Sequence, residues 1–284
     1  MHLREEDRCD VRAVCEVLEL PRSTFYYAGK GTEDQELLKK VEELAGQYPT
    51  YGTRRITHQL RRQPHQVVVN RKRIQRIMRQ NGLLRPVKRR KCRTTNSDHP
   101  YPRFPNLVKE LVVTRPEQVW VSDITYIRLG NGFVYLAIVL DVFTRNVRGW
   151  CLSRSLDQEL SLTALRAALE FQVPEIHHSD QGIHYAAHSY INLLKKHDIR
   201  ISMAAVGKAE ENGYAERFMR TIKDEEVSLS EYHDFADAQA QIGQFIEDVY
   251  NQKRIHSALE YLSPAEYELA YRLAHTQPLR QAPL

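Results

Sequence analysis

The chain of 284 residues is poor in cysteine, with four, at positions 9, 15, 92 and 151. They are scattered and no CxxC pair exists, so neither a zinc site of that type nor a disulfide framework is indicated. A reducing, cytoplasmic setting is the default expectation. No apolar run approaches the roughly eighteen residues of a membrane span. The opening stretch, residues 1–10, is charged and does not read as a secretory signal. Acidic residues are missing altogether between Glu43 and Asp98, where 15 Lys or Arg residues lie. A solvated basic face explains scattered cations, but not a stretch of this length with no acid. It is the electrostatic footprint of a polyanion partner. Residues 1–110 hold 24 Lys+Arg against 13 Asp+Glu, and the remainder holds 17 against 23.

Inside the basic part the pattern is helical. Residues 9–27 read as two short helices: Val11, Val14, Cys15 and Leu18 share a face, Pro21 interrupts, and Ser23 can cap the second helix. That is a helix-turn-helix outline over residues 1–30. Residues 30–32 read as a linker. A helix over 33–48 carries Leu37, Leu38, Val41, Leu44 and Ala45 on one side. Pro49 and Gly52 force a turn and a helix restarts near Thr53. Asn70 is placed to cap a helix over 71–81, with Ile74, Ile77 and Met78 inward and Gly82 at its end. This second helix-turn-helix covers 33–84. Arg54, Arg55, Arg71, Lys72, Arg73, Arg76 and Arg79 are its candidate DNA contacts. Residues 85–114 are proline-rich and carry Lys88, Arg89, Arg90 and Lys91, and read as a basic linker that tracks nucleic acid.

Residues 115–275 change character. Val119–Arg128 and Phe133–Asp141 alternate as strands about Gly130-Asn-Gly132, a hairpin signal. Further strands are expected at Val147–Leu152, Pro174–Ser179 and Ile199–Met203. Helices are expected at Leu160–Glu170, Ala186–His197, Glu210–Glu226 and Phe235–Asn251, with a last one capped by Ser263 and started by Pro264. Strands first, then alternating helices and strands, predict an α/β fold: a mixed sheet with helices on both faces, preceded by small all-α domains. The tail from 276 onward has no pattern.

Three acids stand where acids are disfavoured or conspicuous. Asp123 lies inside a strand, Asp180 at a strand exit in Ser-Asp-Gln-Gly, and Glu216 on a helix, 35 residues after Asp180 (216 − 180 − 1). Each has an ordinary reading alone: strand edge, turn former, solvated helix residue. Together they form a set of hard oxygen donors suited to magnesium and to phosphoryl transfer. Arg220 and Lys223 fall at i+4 and i+7 from Glu216, on its face.

Trp120-Val-Ser-Asp-Ile-Thr-Tyr126, His178-Ser-Asp-Gln-Gly182 and Glu216-Arg-Phe-Met-Arg-Thr-Ile-Lys223 resemble the DDE catalytic core of IS3-family insertion-sequence transposases, relatives of retroviral integrases. So do YPTYGTRRI, VNRKRIQRIMRQNGL and the closing YN…R.H..L.YL.P.E motif, so the resemblance spans nearly the whole chain. It implies an RNase H-like core with Asp123, Asp180 and Glu216 as catalytic and metal-binding residues. It implies two Mg²⁺ ions, with Mn²⁺ as substitute, and cleavage followed by strand transfer from a 3′-OH. The expected partners are double-stranded DNA (terminal repeats and target), a homo-oligomer on that DNA, and the upstream-frame protein of the element. The protein is expected in a prokaryotic cytoplasm, at the nucleoid when DNA-bound. The chain shows no sustained heptads, so the upstream frame's coiled coil is expected to be absent from it. Lys208, in the loop before the Glu216 helix, joins the DNA-contact set, although Asn212-Gly213 departs from the longer polar loop usual in the family. His177 is expected to pack or hydrogen-bond at its strand end, and His178 to approach the substrate. Asp141 is expected to be structural, and Asp224, Glu225 and Glu226 to lie off the metal-facing surface. A hydrolysis-only nuclease of the same fold and a DNA-binding regulator without catalysis are the alternatives.

Overall fold

A computed structural model describes residues 11–25, 31–85, 102–130, 132–205 and 208–275. The run Lys88–Lys91 and the tail after 275, both singled out above, lie outside the described residues. The chain divides into two compact units, Met1–Arg85 and Pro86–Leu284.

The first unit is helical: α1 Val11–Val17, α2 Arg22–Phe25, α3 Gly31–Gln47, α4 Thr53–Arg61 and α5 Arg71–Gln80. The second helix begins at Arg22, immediately after Pro21, so Ser23 lies within it rather than capping it. Gly31 and Thr32, expected in a linker, belong to α3. Val41, Leu44, Ile56, Leu60, Ile74 and Met78 are sealed in one core. Asn70 caps α5 by accepting a bond from the Lys72 amide at 2.8 Å. Gly82 takes φ +69° just past its end, a left-handed value that glycine adopts without strain.

The second unit is built on β1 Val119–Leu129, β2 Gly132–Asp141, β3 Val147–Ser153, β4 Ile176–Ser179 and β5 Arg200–Met203. They lie in the order β3-β2-β1-β4-β5. The first three strands are antiparallel, and β1, β4 and β5 run parallel. This is the mixed sheet of an RNase H-like fold. The β1–β2 turn is tight, with Leu129 opposite Gly132 and Gly130 at φ +56°.

Both faces are covered. One is packed by α9 Gly213–Ile222 and α10 Phe235–Gln244, with Val119, Val121, Ile138 and Leu140 against Ala215, Phe218, Ile222 and Ile242. The other carries α6 Gln158–Leu169, where Trp120, Ala137 and Val139 meet Leu160, Ala164 and Ala168. Here α6 approaches so closely that a Cβ on Gly149 would lie 2.7 Å from the Ala168 amide nitrogen. Beside it stand α7 Ile183–Ala186 and α8 His188–Lys196. The helix expected over 186–197 is α8, which starts at His188 because Ala187 is extended (ψ 142°), and the short α7 before it carried no signal in the sequence.

The helix expected over 210–226 is likewise three pieces: a 3₁₀ turn Ala209–Asn212, α9, and a wider π turn Lys223–Val227. The wider turn carries Glu225 to Arg254, which grips it with two bonds of 2.7 and 2.8 Å. Phe245–Asn251 extends α10 by a second π segment, and α11 Pro264–His275 closes the described chain. Ser263 and Glu266 exchange reciprocal bonds at the start of α11, a capping box.

Candidate active site

β4 pairs with β1 only at Val119–Val121. Beyond that point β1 runs on with β2 on one side, and the first half-buried residues past the pairing include Asp123. Asp180 follows the last residue of β4, and its Oδ1 accepts the Gly182 amide at 2.9 Å, which closes the turn. Glu216 sits in the first turn of α9. Strand, strand exit and helix thus bring the three acids to one end of the sheet.

Their proximity is visible in the electrostatics. The Asp123 carboxyl is pushed up to about 8, first by burial, then by the negative charges of Asp180 and Glu216. The Ile124 amide, bonded to Asp123 Oδ1 at 2.8 Å, and the Lys223 ammonium act in the opposite direction. Like charges held together against their own repulsion are characteristic of a functional site. Among the described residues no group of three acids, histidines or cysteines is drawn to metal-coordinating spacing. The donor chemistry nevertheless fits a hard divalent cation: three carboxylates whose mutual repulsion a cation would relieve. Tyr185 also fits. Its hydroxyl is buried without a hydrogen-bond partner and feels the charges of Asp123 and Asp180.

The support around the acids is polar and largely hydrogen-bonded, with the Asn212 Oδ1 and Gln181 Oε1 atoms buried without a partner. Asn212, 3 % exposed, donates to the Ser122 carbonyl at 3.0 Å. His177 bonds Ser122 Oγ at 2.8 Å and the Tyr190 hydroxyl at 3.0 Å, the packed role expected for it. His178 does not reach outward toward substrate. It is fully buried, with Nδ1 at 2.8 Å from Ser202 Oγ and Nε2 at 3.2 Å from the Glu211 carbonyl. Asp141 is buried and accepts from Thr144 N, Thr144 Oγ1 and the Glu117 amide. Glu226 accepts from Ser230 and Tyr232, and Glu225 is held by Arg254.

The cations differ in their surroundings. Arg220 and Lys208 are exposed. Lys223 is half-buried, with Nζ 4.7 Å from the centroid of the Tyr126 ring. In the first unit Arg54, Arg71, Lys72 and Arg79 are exposed. Arg55 lies over the Tyr51 ring at 5.0 Å. Arg73 and Arg76 both pair with Asp34 on α3, at 2.8 and 2.7 Å.

Asn212, Tyr185 and Tyr126 were not singled out as site residues from the sequence. Asn212 had one usable signal, an Asn-Gly directly before a helix. The tyrosines had none.

Residues 32–91 match the family described as HTH-like domain, and residues 113–209 and 197–264 match families described as Integrase core domain. The transposase for insertion sequence element IS904 of Lactococcus lactis is 33% identical over 241 residues, 83% of this chain and 94% of that protein. Transposase InsF for insertion sequence IS3A of Escherichia coli is 31% identical over 271 residues, 91% of this chain and 93% of that protein. Among solved structures, the HTLV-2 integrase catalytic core domain in complex with magnesium is 17% identical with a TM-score of 0.45, over 54% of this chain and 97% of that one. An integrase core with transposase relatives along most of its length defines an enzyme of the polynucleotidyl-transferase type. More particularly, the chain belongs to the IS3 family of insertion-sequence transposases.

Proposed function

We propose that this IS3-type transposase binds the ends of its element and cuts and joins DNA at Asp123, Asp180 and Glu216. The observation that carries the reading is the convergence of β1, the exit of β4 and the first turn of α9, which carry Asp123, Asp180 and Glu216, in a chain of this transposase family. The three carboxylates would hold the divalent cations, two Mg²⁺ with Mn²⁺ as substitute. Bound there, the pair supplies Lewis acidity to the attacking and leaving oxygens of an in-line displacement.

The chain's own residues do the rest. Arg220 and Lys223, on the face of Glu216, hold phosphate oxygens of the strand being cut, and Lys208 does so from the preceding loop. Water attacks the phosphorus at the element end; the P–O3′ bond breaks, leaving a 3′-OH and a 5′-phosphate. That 3′-oxygen then attacks a target phosphorus, and the displaced target 3′-oxygen leaves with a proton. No bond to protein forms, so no Tyr or Ser nucleophile is assigned. The first unit docks on double-stranded DNA through Arg54, Arg55, Arg71, Lys72, Arg73, Arg76 and Arg79, and the basic linker with Lys88, Arg89, Arg90 and Lys91 tracks the backbone. Joining two ends calls for a homo-oligomer assembled on DNA, with the upstream-frame protein as a further partner. The work is done in the cytoplasm, at the nucleoid.

The test is a strand-transfer assay with labelled element-end DNA, Mg²⁺ or Mn²⁺, and Glu216→Gln as control. Cleaved and joined products that vanish in the variant are expected. Cleavage without joining, with the upstream protein present, would make the chain a nuclease. Binding with neither product would make it a regulator.

A further inference from the structure

One cavity of the second unit has a cation without a counter-ion in its wall. Its volume is about 600 Å³, within the range of small-molecule sites. Val119 and Val121 of β1, Val142 just past β2, Val108 and Leu259 give it an apolar lining. Arg145, in the turn between β2 and β3, belongs to the same lining. Its guanidinium lies over the Tyr214 ring, with Cζ 3.9 Å from the centroid. A stacked guanidinium spends its face on the ring and keeps its N–H donors in its own plane. Among the described residues those donors meet no acceptor. The Arg145 side chain forms no hydrogen bond and no ion pair, and its Nη1 is shut off from water as well. Arg148 and Arg254, both largely buried, are engaged instead: the first pairs with Glu117 and Glu268, the second with Glu225. Arg145 is also held at φ +62°, a left-handed value costly for a residue with a Cβ. The turn that imposes it is tied down by Asp141, which accepts the Thr144 amide at 2.6 Å on its side chain and the Arg145 amide at 2.9 Å on its carbonyl. Strain of this kind collects at functional sites.

We propose that this cavity binds a small monocarboxylate with an apolar body, its carboxylate on Arg145 and its body among the valines. A carboxylate matches the in-plane fork of a guanidinium with two parallel bonds. An unspent donor cut off from water is a standing cost, and the acceptor brought by such a ligand removes it. Lys109 stands in the same lining and adds a second positive charge. Glu210 and Glu211 stand there too, so a chain of phosphates is repelled and a single negative charge is preferred. Glu211 is itself committed, accepting from the Ala205 amide and from Asn106 Nδ2, both at 2.8 Å. Tyr214 opens α9 two residues ahead of Glu216, so the ligand is held against the start of the helix that carries that acid. The site does not depend on the reading of the three acids: none of them, and none of the proposed DNA contacts, lines it.

The experiment uses the full chain, without DNA or metal, and 4-phenylbutyrate as the probe, with 4-phenylbutyramide as its uncharged counterpart. Binding is followed at pH 7 by NMR titration of the valine methyl signals, which also locates the ligand. The wild type is expected to bind the acid about tenfold more tightly than the amide, the factor of a charge-assisted pair, with shifts at Val121 and Val142. Arg145→Gln is expected to bind both probes alike, at the affinity of the amide. Ala258→Trp changes an exposed residue of the lining and fills the cavity mouth. It is expected to weaken both probes about tenfold. A wild type that binds neither probe, or binds acid and amide alike, overturns the proposal. So does a folded Arg145→Gln protein that keeps the tenfold preference, and so does Ala258→Trp binding the acid as the wild type does. If Arg145→Gln fails to fold, the wild-type ratio of acid to amide and the Ala258→Trp titration decide the matter.

Discussion

Asn212 reaches from the turn ahead of α9 to the carbonyl of Ser122, the residue before Asp123, at 3.0 Å. One buried amide therefore sets the helix that carries Glu216 against the strand that carries Asp123. Asn212→Ala is expected to leave the Ser122 carbonyl without this donor and cost about 1–3 kcal/mol of stability. The larger effect is expected in strand transfer, about 10²-fold, because a small displacement of one carboxylate spoils the alignment. Urea denaturation and single-turnover rates read the two separately, and a variant with wild-type rates would show that this bond does not position the site.

The three acids are held at an electrostatic cost that a cation removes. Asp123→Asn is expected to raise the melting temperature of the metal-free protein at pH 8, by about 2–4 °C for each kcal/mol of repulsion relieved. Magnesium is expected to raise the melting temperature of the wild type and not that of the variant. Equal magnesium shifts in both proteins would remove Asp123 from the metal site.

His177 is buried and pushed down to about 3, chiefly by burial and then by its neighbour His178. The folded state thus keeps it neutral, whereas the unfolded chain protonates it near 6.5. Between those values the unfolded state binds more protons. The stabilisation is complete above pH 6.5 and is lost as the pH falls toward 3. From pH 7 to pH 5 this one group is expected to remove about 2 kcal/mol. His177→Gln keeps a polar side chain and removes the titration, so its urea midpoint is expected to fall less over the same interval.

Arg73 and Arg76 share Asp34, whose carboxyl is held below its usual range first by Arg73. Their charge is partly spoken for inside the unit. Arg71→Ala or Arg79→Ala is expected to lower the salt dependence of DNA binding by about one counterion each, and Arg73→Ala by less. Asp34→Ala is expected to strengthen non-specific binding. Fluorescence anisotropy across a salt series measures all four, and equal slopes for the three arginine variants would discard the distinction.

Gly149 lies where α6 crosses β3. Gly149→Ala is expected to cost about 1–3 kcal/mol, since backbone atoms of Ala164 and Ala168 occupy the space of the added methyl. A calorimetric melt tests it, and an unchanged melting temperature would mean that the helix shifts freely on the sheet.

Much of this was legible in the chain itself. The five strands fall within a few residues of their expected bounds, because alternation and the turn residues Gly130 and Gly132 are local signals. Asp123 stood out because charged residues are disfavoured inside a strand, Asp180 by its place in the turn at a strand exit, and Glu216 by its spacing from Asp180. The continuity of helices did not read correctly. The helix expected over 186–197 starts only after extended Ala187, and the one over 210–226 changes pitch at Asn212, whose side chain bonds a strand 90 residues away.

The amino-acid sequence by itself determined the element order, the chemistry of the donors and the placement of a basic stretch ahead of an acidic one, all of which come from residue type and near-neighbour spacing. Only the tertiary structure decided which of those side chains are engaged within the protein. Arg73 and Arg76 are separated from Asp34 by 39 and 42 residues, and Tyr126 meets Lys223 from a different element altogether. Ion pairs and ring contacts of that kind depend on distances of a few ångströms in space, and no local pattern along the chain records them.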